Sequence, residues 1–358
     1  MSRDQNIIAW RILTIGRDCM EFCWVLPVDV QEGAEAEYSL SIKESIEAEK
    51  FGFHQVLISS LQKALDPWVL ASLISVRTNK IRMLVAQNSN FTLPTVTAKS
   101  ANSLSIVVNG RIDINIVTGS SVAELAKDVV PLSHQERYKR TAEYTDVLQR
   151  LYNETLTFES SYYSIKNAAI YPQANKPRLF IAGSSEQASL VAAKSGDVHM
   201  MYAADIKTVR KVFERTKIMA REHKRSVKCG VYVDLIARET REEAWAVAGK
   251  LLQDASPIEK KKNKLFYSGI DSVGHLQNKE FALSKEQKLD HNLWTGRSQI
   301  SSGTSVSIVG SYEEVSKTIQ TFHEAGADFF IITASGMDNE IQRIGEHILP
   351  NFKVKSAV

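Results

Sequence analysis

Short, mostly apolar runs alternate along this chain with longer stretches whose apolar residues recur every three or four positions. The runs Glu21–Val28, His54–Ser60, Ile81–Asn88, Arg111–Gly119, Arg178–Ala182, Asp197–Ala203, Lys228–Arg238 and Asp328–Ser335 read as strands. Between them, Glu37–Gly52, Asp66–Thr78, Pro94–Val107, His134–Tyr152, Glu186–Lys194, Asp205–Glu222, Thr240–Leu252 and Gly310–Gly326 read as helices, with a last one near Glu340–Ile348. Asp66 is placed to cap its helix, and Pro67 suits the first turn. Thr155–Ala168 alternates like a short hairpin.

Each strand with a helix near by implies parallel pairing through βαβ units. The runs are continuously apolar, as strands covered on both faces must be. Eight such units favour a closed (β/α)8 TIM barrel over an open doubly wound sheet. No GxGxxG follows the first strand, which weighs against a dinucleotide-binding sheet. The rhythm breaks once. Residues 255–306 are polar, and their end is rich in Gly, Ser and Thr. In a barrel they form a long insertion after the seventh βα unit, of the kind that serves as a lid. The expected organisation is one domain over residues 1–358 carrying that insertion, with no repeats and no low-complexity tract.

Composition narrows the classes. With 44 basic and 41 acidic residues the net charge is +3, too even for nucleic-acid binding, and no basic block with interleaved aromatics occurs. No window approaches about 18 uninterrupted apolar residues, so no membrane span is expected. Charges at Arg3, Asp4, Arg11, Arg17 and Asp18 leave no apolar core for a signal peptide. The 3 cysteines, Cys19, Cys23 and Cys229, make no disulfide framework. Cys19 and Cys23 are spaced like half a metal site that nothing completes, so inert buried thiols, a reducing cytoplasm and no metal are expected.

The chemistry centres on Arg178–Asp197, RLFIAGSSEQASLVAAKSGD. Gly183-Ser184-Ser185 lies where a barrel carries its functional loops, after a strand, and it opens a helix. The first amides of a helix lack internal partners and sit at the positive end of its dipole. A phosphate binds well there, and two hydroxyls add donors. Taken alone, the tripeptide reads equally as a turn glycine and an N-cap serine. HQERY, at His134–Tyr138, reads equally as a capped helix start.

The order of motifs says more than any one of them. FCWVLP (Phe22–Pro27), NIVTGSSVAELAKD (Asn115–Asp128), SHQERYKRTAEYTDVLQRL (Ser133–Leu151), GSSEQASLVAAKSGDV, DSVG (Asp271–Gly274) and NLWTG (Asn292–Gly296) follow one another. Together they resemble the bacterial luciferase-like family of flavin-dependent monooxygenases, nearest to its alkanesulfonate monooxygenase branch, over roughly residues 20 to 350. The resemblance implies a (β/α)8 barrel that binds FMN in its reduced form, FMNH2, supplied by a separate NAD(P)H:flavin reductase, and oxygenates a small molecule with O2. It implies a homodimer or homotetramer. His134 and Tyr138 match residues that contact the flavin or its phosphate, and Gly183, Ser184 and Ser185 match the phosphate loop. Thr118 and Gly119 match the turn beside the phosphate tail, Asn88 a polar residue facing the flavin, and Trp24 the floor of the site.

The sulfonate-holding set is missing. Tyr232 and Asp234 stand where that branch has an Arg and a His, and Ser301 stands for the arginine of the mobile loop. Ala64, Tyr202 and Met337 replace a cysteine, a tryptophan and a tyrosine. Guanidinium forks are the natural way to hold a compact anion. Their loss implies another substrate, free or held on a carrier protein. Asp234 is expected to act as a base or an amine anchor, or else to pair structurally with Lys228 or Arg238. Tyr202 and Tyr232 read as hydrogen-bond donors or as pocket lining, and Arg297 as a substitute for the missing arginine. His54, at the opposite end of its strand, reads as structural. Two alternatives stay open: a deazaflavin-dependent oxidoreductase on the same barrel, and a non-catalytic flavin-binding homologue.

Overall fold

A computed structural model describes residues 20–352, apart from 29–32, 120, 131, 269, 302, 304–305 and 335–336. Cys19 and Ser335 lie outside the described residues. Eight parallel strands close a barrel: β1 (Glu21–Val25), β2 (Gln55–Ile58), β3 (Arg82–Asn88), β4 (Ile112–Val117), β7 (Leu179–Ala182), β8 (Val198–Tyr202), β9 (Lys228–Arg238) and β12 (Phe329–Thr333). β12 pairs with both β9 and β1, which closes the ring. The fold is a (β/α)8 TIM barrel. β5 (Leu156–Glu159) and β6 (Ser164–Ala168) form the expected hairpin outside it. The helices lie close to their expected bounds, among them Pro94–Val107, His134–Leu151, Glu186–Ser195 and Ile206–Glu222.

Alternate residues of each strand point into the barrel, where Cys23, Leu57, Leu84, Phe180, Met200, Phe329 and Ile331 pack together. Their neighbours, such as Phe22, Val56 and Met83, face the helices in a larger outer core. This two-sided burial is why the strand sequences lack polar alternation. The strand starts carry a polar knot. Asp113, fully buried, accepts hydrogen bonds from Arg82 Nη2 at 2.7 Å and Arg178 Nη2 at 2.9 Å, and from the Gln55 amide. Arg178 also reaches Glu21 at 2.8 Å, so the buried Asp113 faces two guanidinium groups and Arg178 faces two carboxylates. His54 stands at this end too, its Nδ1 accepting the Phe22 N–H at 3.1 Å.

Two differences from the sequence expectation appear late in the chain. The stretch Gly310–Gly326 is not one helix. Ser307–Ser311 is a strand, β11, and the helix begins at Tyr312 under a capping box formed by Ser311 and Glu314. β11 pairs with the far half of the eleven-residue β9, Asp234–Arg238, beyond the barrel rim, and the short antiparallel β10 (Leu293–Trp294) flanks it. Residues 255–306 also contain two helices, Pro257–Ser268 and Val273–Leu283, and a 3-10 turn over Gly296–Gln299.

Burial pushes up the thiols of both described cysteines, Cys23 well above its usual range and Cys229 to about 12. Among the described residues, no three His, Cys, Asp or Glu side chains are grouped to hold a metal ion. No helix among them is long and apolar enough to cross a membrane.

Candidate active site

At the open end of the barrel Val25, Thr118, Ala182, Gly183, Tyr202 and Tyr232 all keep partial exposure, so the strand ends surround an accessible mouth. The loop after β7 is shaped by Gly183. Its φ of +139° suits glycine, and a Cβ there would lie 2.5 Å from the Tyr138 hydroxyl and 2.9 Å from Ala188 Cβ. Ser185 caps the helix Glu186–Ser195, its hydroxyl accepting the Ala188 N–H at 3.1 Å. Ser184 keeps a buried hydroxyl with no hydrogen-bond partner among the described residues. An unpaired polar atom beside free helix amides is the expected state of a site built for an anion.

Tyr138 joins this loop to the one after β4. Its buried hydroxyl interacts with the side chains of both Ser185 and Thr118, and burial raises its pKa. His134, one helical turn earlier, stands edge-on to Tyr138 with ring centres 5.0 Å apart. Burial lowers its pKa, and the nearby Asp271 carboxylate partly opposes that. Sequence reasoning therefore placed His134, Tyr138, Thr118, Gly183, Ser184 and Ser185 in one neighbourhood, and the fold brings them together.

The segment after Pro257–Ser268 covers this loop. Gly274 packs closely here: a Cβ on it would stand a tight 3.2 Å from the Tyr202 ring and 3.6 Å from Ser184 Oγ, an ordinary contact. Arg137, fully buried, holds the segment through Asp271 at 2.6 Å and donates a second hydrogen bond to the Leu132 carbonyl at 2.8 Å.

Across the mouth, Tyr202 packs edge-on against Tyr232 at 5.3 Å and His275 at 5.1 Å. The Tyr202 hydroxyl lies 3.4 Å from His275 Nε2. Burial pushes the Tyr202 phenol up to about 12 and Tyr232 further, and lowers His275 to about 4. All three are neutral at physiological pH. Asp234 is fully buried and accepts the Ser307 hydroxyl at 2.7 Å. Burial raises its pKa to about 6, against the opposing pull of Arg297 and Ser307. Arg297 itself is buried in the turn Gly296–Gln299.

Three expectations need correction. Trp24 is not at the floor of the site: it points away from the barrel interior, donates its indole N–H to Glu44 at 2.7 Å and packs on Phe53. Arg238 does not pair with Asp234 but with Glu340 at 3.0 Å. Asn88 is at the mouth, but its side-chain carbonyl accepts both the backbone N–H and the amide of Asn90, each at 3.0 Å, and so organises the loop after β3. Asn90 in turn donates to the Thr118 carbonyl at 2.9 Å.

Four residues at the site went unnoticed in the sequence: His199, Arg215, Asp271 and His275. His199 lies inside a continuously apolar strand, where nothing in the sequence marks which face it takes. Asp271 and His275 both fall in or beside DSVG, the one available signal for them. Arg215 sits on an ordinary amphipathic helix and carries no signal.

A model of the luciferase-like monooxygenase family matches residues 20–328. Among solved structures the chain is similar to the EDTA monooxygenase of Chelativorans sp. BNC1, with 18% identity, 93% of each chain covered and a TM-score of 0.72. It is similar to a riboflavin lyase solved with modified FMN and riboflavin, with 16% identity over 93% of this chain and 91% of that one, at a TM-score of 0.76. It is also similar to an F420-dependent secondary alcohol dehydrogenase, with 17% identity over 94% of this chain and 100% of that one, at a TM-score of 0.69. These distant likenesses concern the shared barrel, whereas the family model follows the sequence itself across most of it: the chain belongs to the luciferase-like monooxygenase family.

Proposed function

We propose that this chain is the oxygenase component of a two-component flavin monooxygenase. It takes reduced FMN from a separate NAD(P)H-dependent reductase and uses O2 to oxygenate a small organic substrate other than an alkanesulfonate. The observation that carries this reading is the unpartnered, buried Ser184 hydroxyl on a glycine-shaped loop that opens a helix at the barrel mouth. Amides and hydroxyls at that loop suit a phosphate monoester and need no metal. Ser184, Ser185, Thr118, Tyr138 and His134 would hold the FMN phosphate. The bound flavin supplies the electrons that activate O2, a chemistry that belongs to the cofactor.

The chain's own task is then to position and to shield. Tyr202 and Tyr232, kept neutral, offer hydrogen-bond donors at the mouth. The Asp234 carboxyl acts electrostatically against Arg297 and so reduces the positive charge that this guanidinium offers to a sulfonate. Residues 255–306 act as the lid, with Arg137–Asp271 as its latch and Gly274 seated on the phosphate loop. The deazaflavin-dependent reading draws on the likeness to the F420-dependent alcohol dehydrogenase. Oxygen uptake separates the two. With NAD(P)H, FMN and a flavin reductase, the chain should speed conversion of a substrate panel with O2 consumption coupled to product. Hydride transfer from reduced F420 without oxygen uptake, and no product with FMN, would overturn the proposal.

A further inference from the structure

We infer that His199 and Arg215, which lie outside the mouth, are positioning residues for the phosphate loop: they grip its carbonyls from behind so that its amides face the ligand. This deepens the FMN reading and rests on it. A trans peptide points its C=O and its following N–H in opposite directions. Whatever fixes the Gly183 carbonyl therefore aims the Ser184 N–H, and whatever fixes the Ser184 carbonyl aims the Ser185 N–H.

Both carbonyls are fixed. His199 Nε2 lies 2.6 Å from the Gly183 oxygen. A carbonyl only accepts, so Nε2 carries the proton. Nδ1 lies 2.9 Å from the Thr216 hydroxyl, and burial lowers the ring's pKa to about 4. The neutral ring thus accepts from Thr216 and donates to the loop in one fixed tautomer. His199 and Thr216 are fully buried, and the flanking Val198 and Met200 point into the barrel while His199 points to the helix behind it. Arg215 Nη2 donates to the Ser184 oxygen at 2.9 Å. Its guanidinium is held by Ser189 Oγ, at 3.1 Å from Nε and 2.8 Å from Nη2, and Ser189 belongs to the helix that the loop opens. Among the described residues the N–H groups of Ser184 and Ser185 enter no strand, helix or turn hydrogen bond. They are left for a ligand on the side away from His199 and Arg215. The cationic Arg215 also adds positive potential behind the loop.

Such bracing acts on the phosphate and leaves the flavin ring alone. The test compares reduced FMN with reduced riboflavin, which lacks the phosphate, in anaerobic titrations of the full chain. The wild type should prefer FMN. Arg215→Leu and His199→Phe should each cut that preference at least about tenfold, the range of one charge-assisted hydrogen bond, with riboflavin affinity unchanged. His199→Gln, which keeps a donor, should restore part of it. Arg215 is half-exposed, so its variant tests the idea without emptying the core. A wild type with no preference for FMN would overturn both this inference and the phosphate-loop reading beneath it. A wild type that prefers FMN, with variants that melt normally and keep the preference or lose both ligands equally, would overturn the inference alone.

Discussion

Asp234 shows how one buried side chain records both its surroundings and its use. In the unfolded chain its carboxyl titrates near 3.8, and in the fold burial raises it to about 6. Between those values the folded chain binds more protons, so the folded state's advantage is greatest at low pH and falls as pH rises through about 6. Two units correspond to about 3 kcal/mol. Urea denaturation of the wild type and Asp234→Asn should show it: relative to the Asn variant, the wild type loses about 2–3 kcal/mol between pH 4 and pH 7. A constant difference across that range would mean that the carboxylate is better solvated than its burial and its contacts with Ser307 and Arg297 imply. The same contacts change its chemical meaning. Read alone, Asp234 is a base, an amine anchor or a structural partner of Lys228 or Arg238; in the fold its charge is set against that of Arg297. Such a change is invisible in sequence, because Asp234 and Arg297 lie far apart in the chain and only the fold lets their charges act on each other.

At the scale of elements, the Arg137–Asp271 pair helps to tie down the segment after the seventh unit. Arg137 belongs to the helix that also presents His134 and Tyr138, so the latch and the phosphate site share one support. Asp271→Asn should weaken the seating of Pro257–Ser268 and Val273–Leu283 on the mouth. Hydrogen exchange in those two helices should then quicken by about tenfold or more, while β1–β4 keep wild-type protection. Unchanged exchange there would show that the segment is held without help from this pair. The elements also show where the sequence was legible. Barrel strands covered on both faces declare themselves as unbroken apolar runs, and the helices as periodic ones with Asp66, Ser133, Ser185 and Ser311 at their starts. β11 escaped because Ser307–Ser311 runs without a break into the helix at Tyr312. The helix Pro257–Ser268 escaped because its lysine-rich EKKKNK reads as a solvated loop. The loop proposed to hold a phosphate, Gly183 to Ser185, stands out in the sequence because glycine and hydroxyls after a strand have a direct chemical reading. His199 and Arg215 support it from another strand and another helix, and no local pattern announces such support. Trp24 misled for the opposite reason: a tryptophan in a barrel strand carries no sign of which face it takes.

For the whole molecule, the barrel divides its labour between its ends. The closed end holds Glu21, Gln55, Arg82, Asp113 and Arg178 in a matched polar knot, and the open end keeps unpaired donors for a ligand. Asp113→Ala should therefore cost stability, about 3–5 kcal/mol by chemical denaturation, because it takes the carboxylate acceptor from Arg82 and the Gln55 amide and leaves Arg178 with Glu21 alone. At low temperature the surviving folded chain should bind flavin as the wild type does. A loss of flavin affinity without a loss of stability would contradict that division. The account as a whole stands on the claim that the loop from Gly183 to Ser185 grips the phosphate of FMN. The most direct measurement is a crystal structure of the chain with FMN. It should show the phosphate within hydrogen-bond distance of the Ser184 and Ser185 amides and the Ser184 hydroxyl, with the flavin ring over the mouth toward Tyr202 and Tyr232. A phosphate bound elsewhere, with that loop facing only protein or solvent, would contradict it.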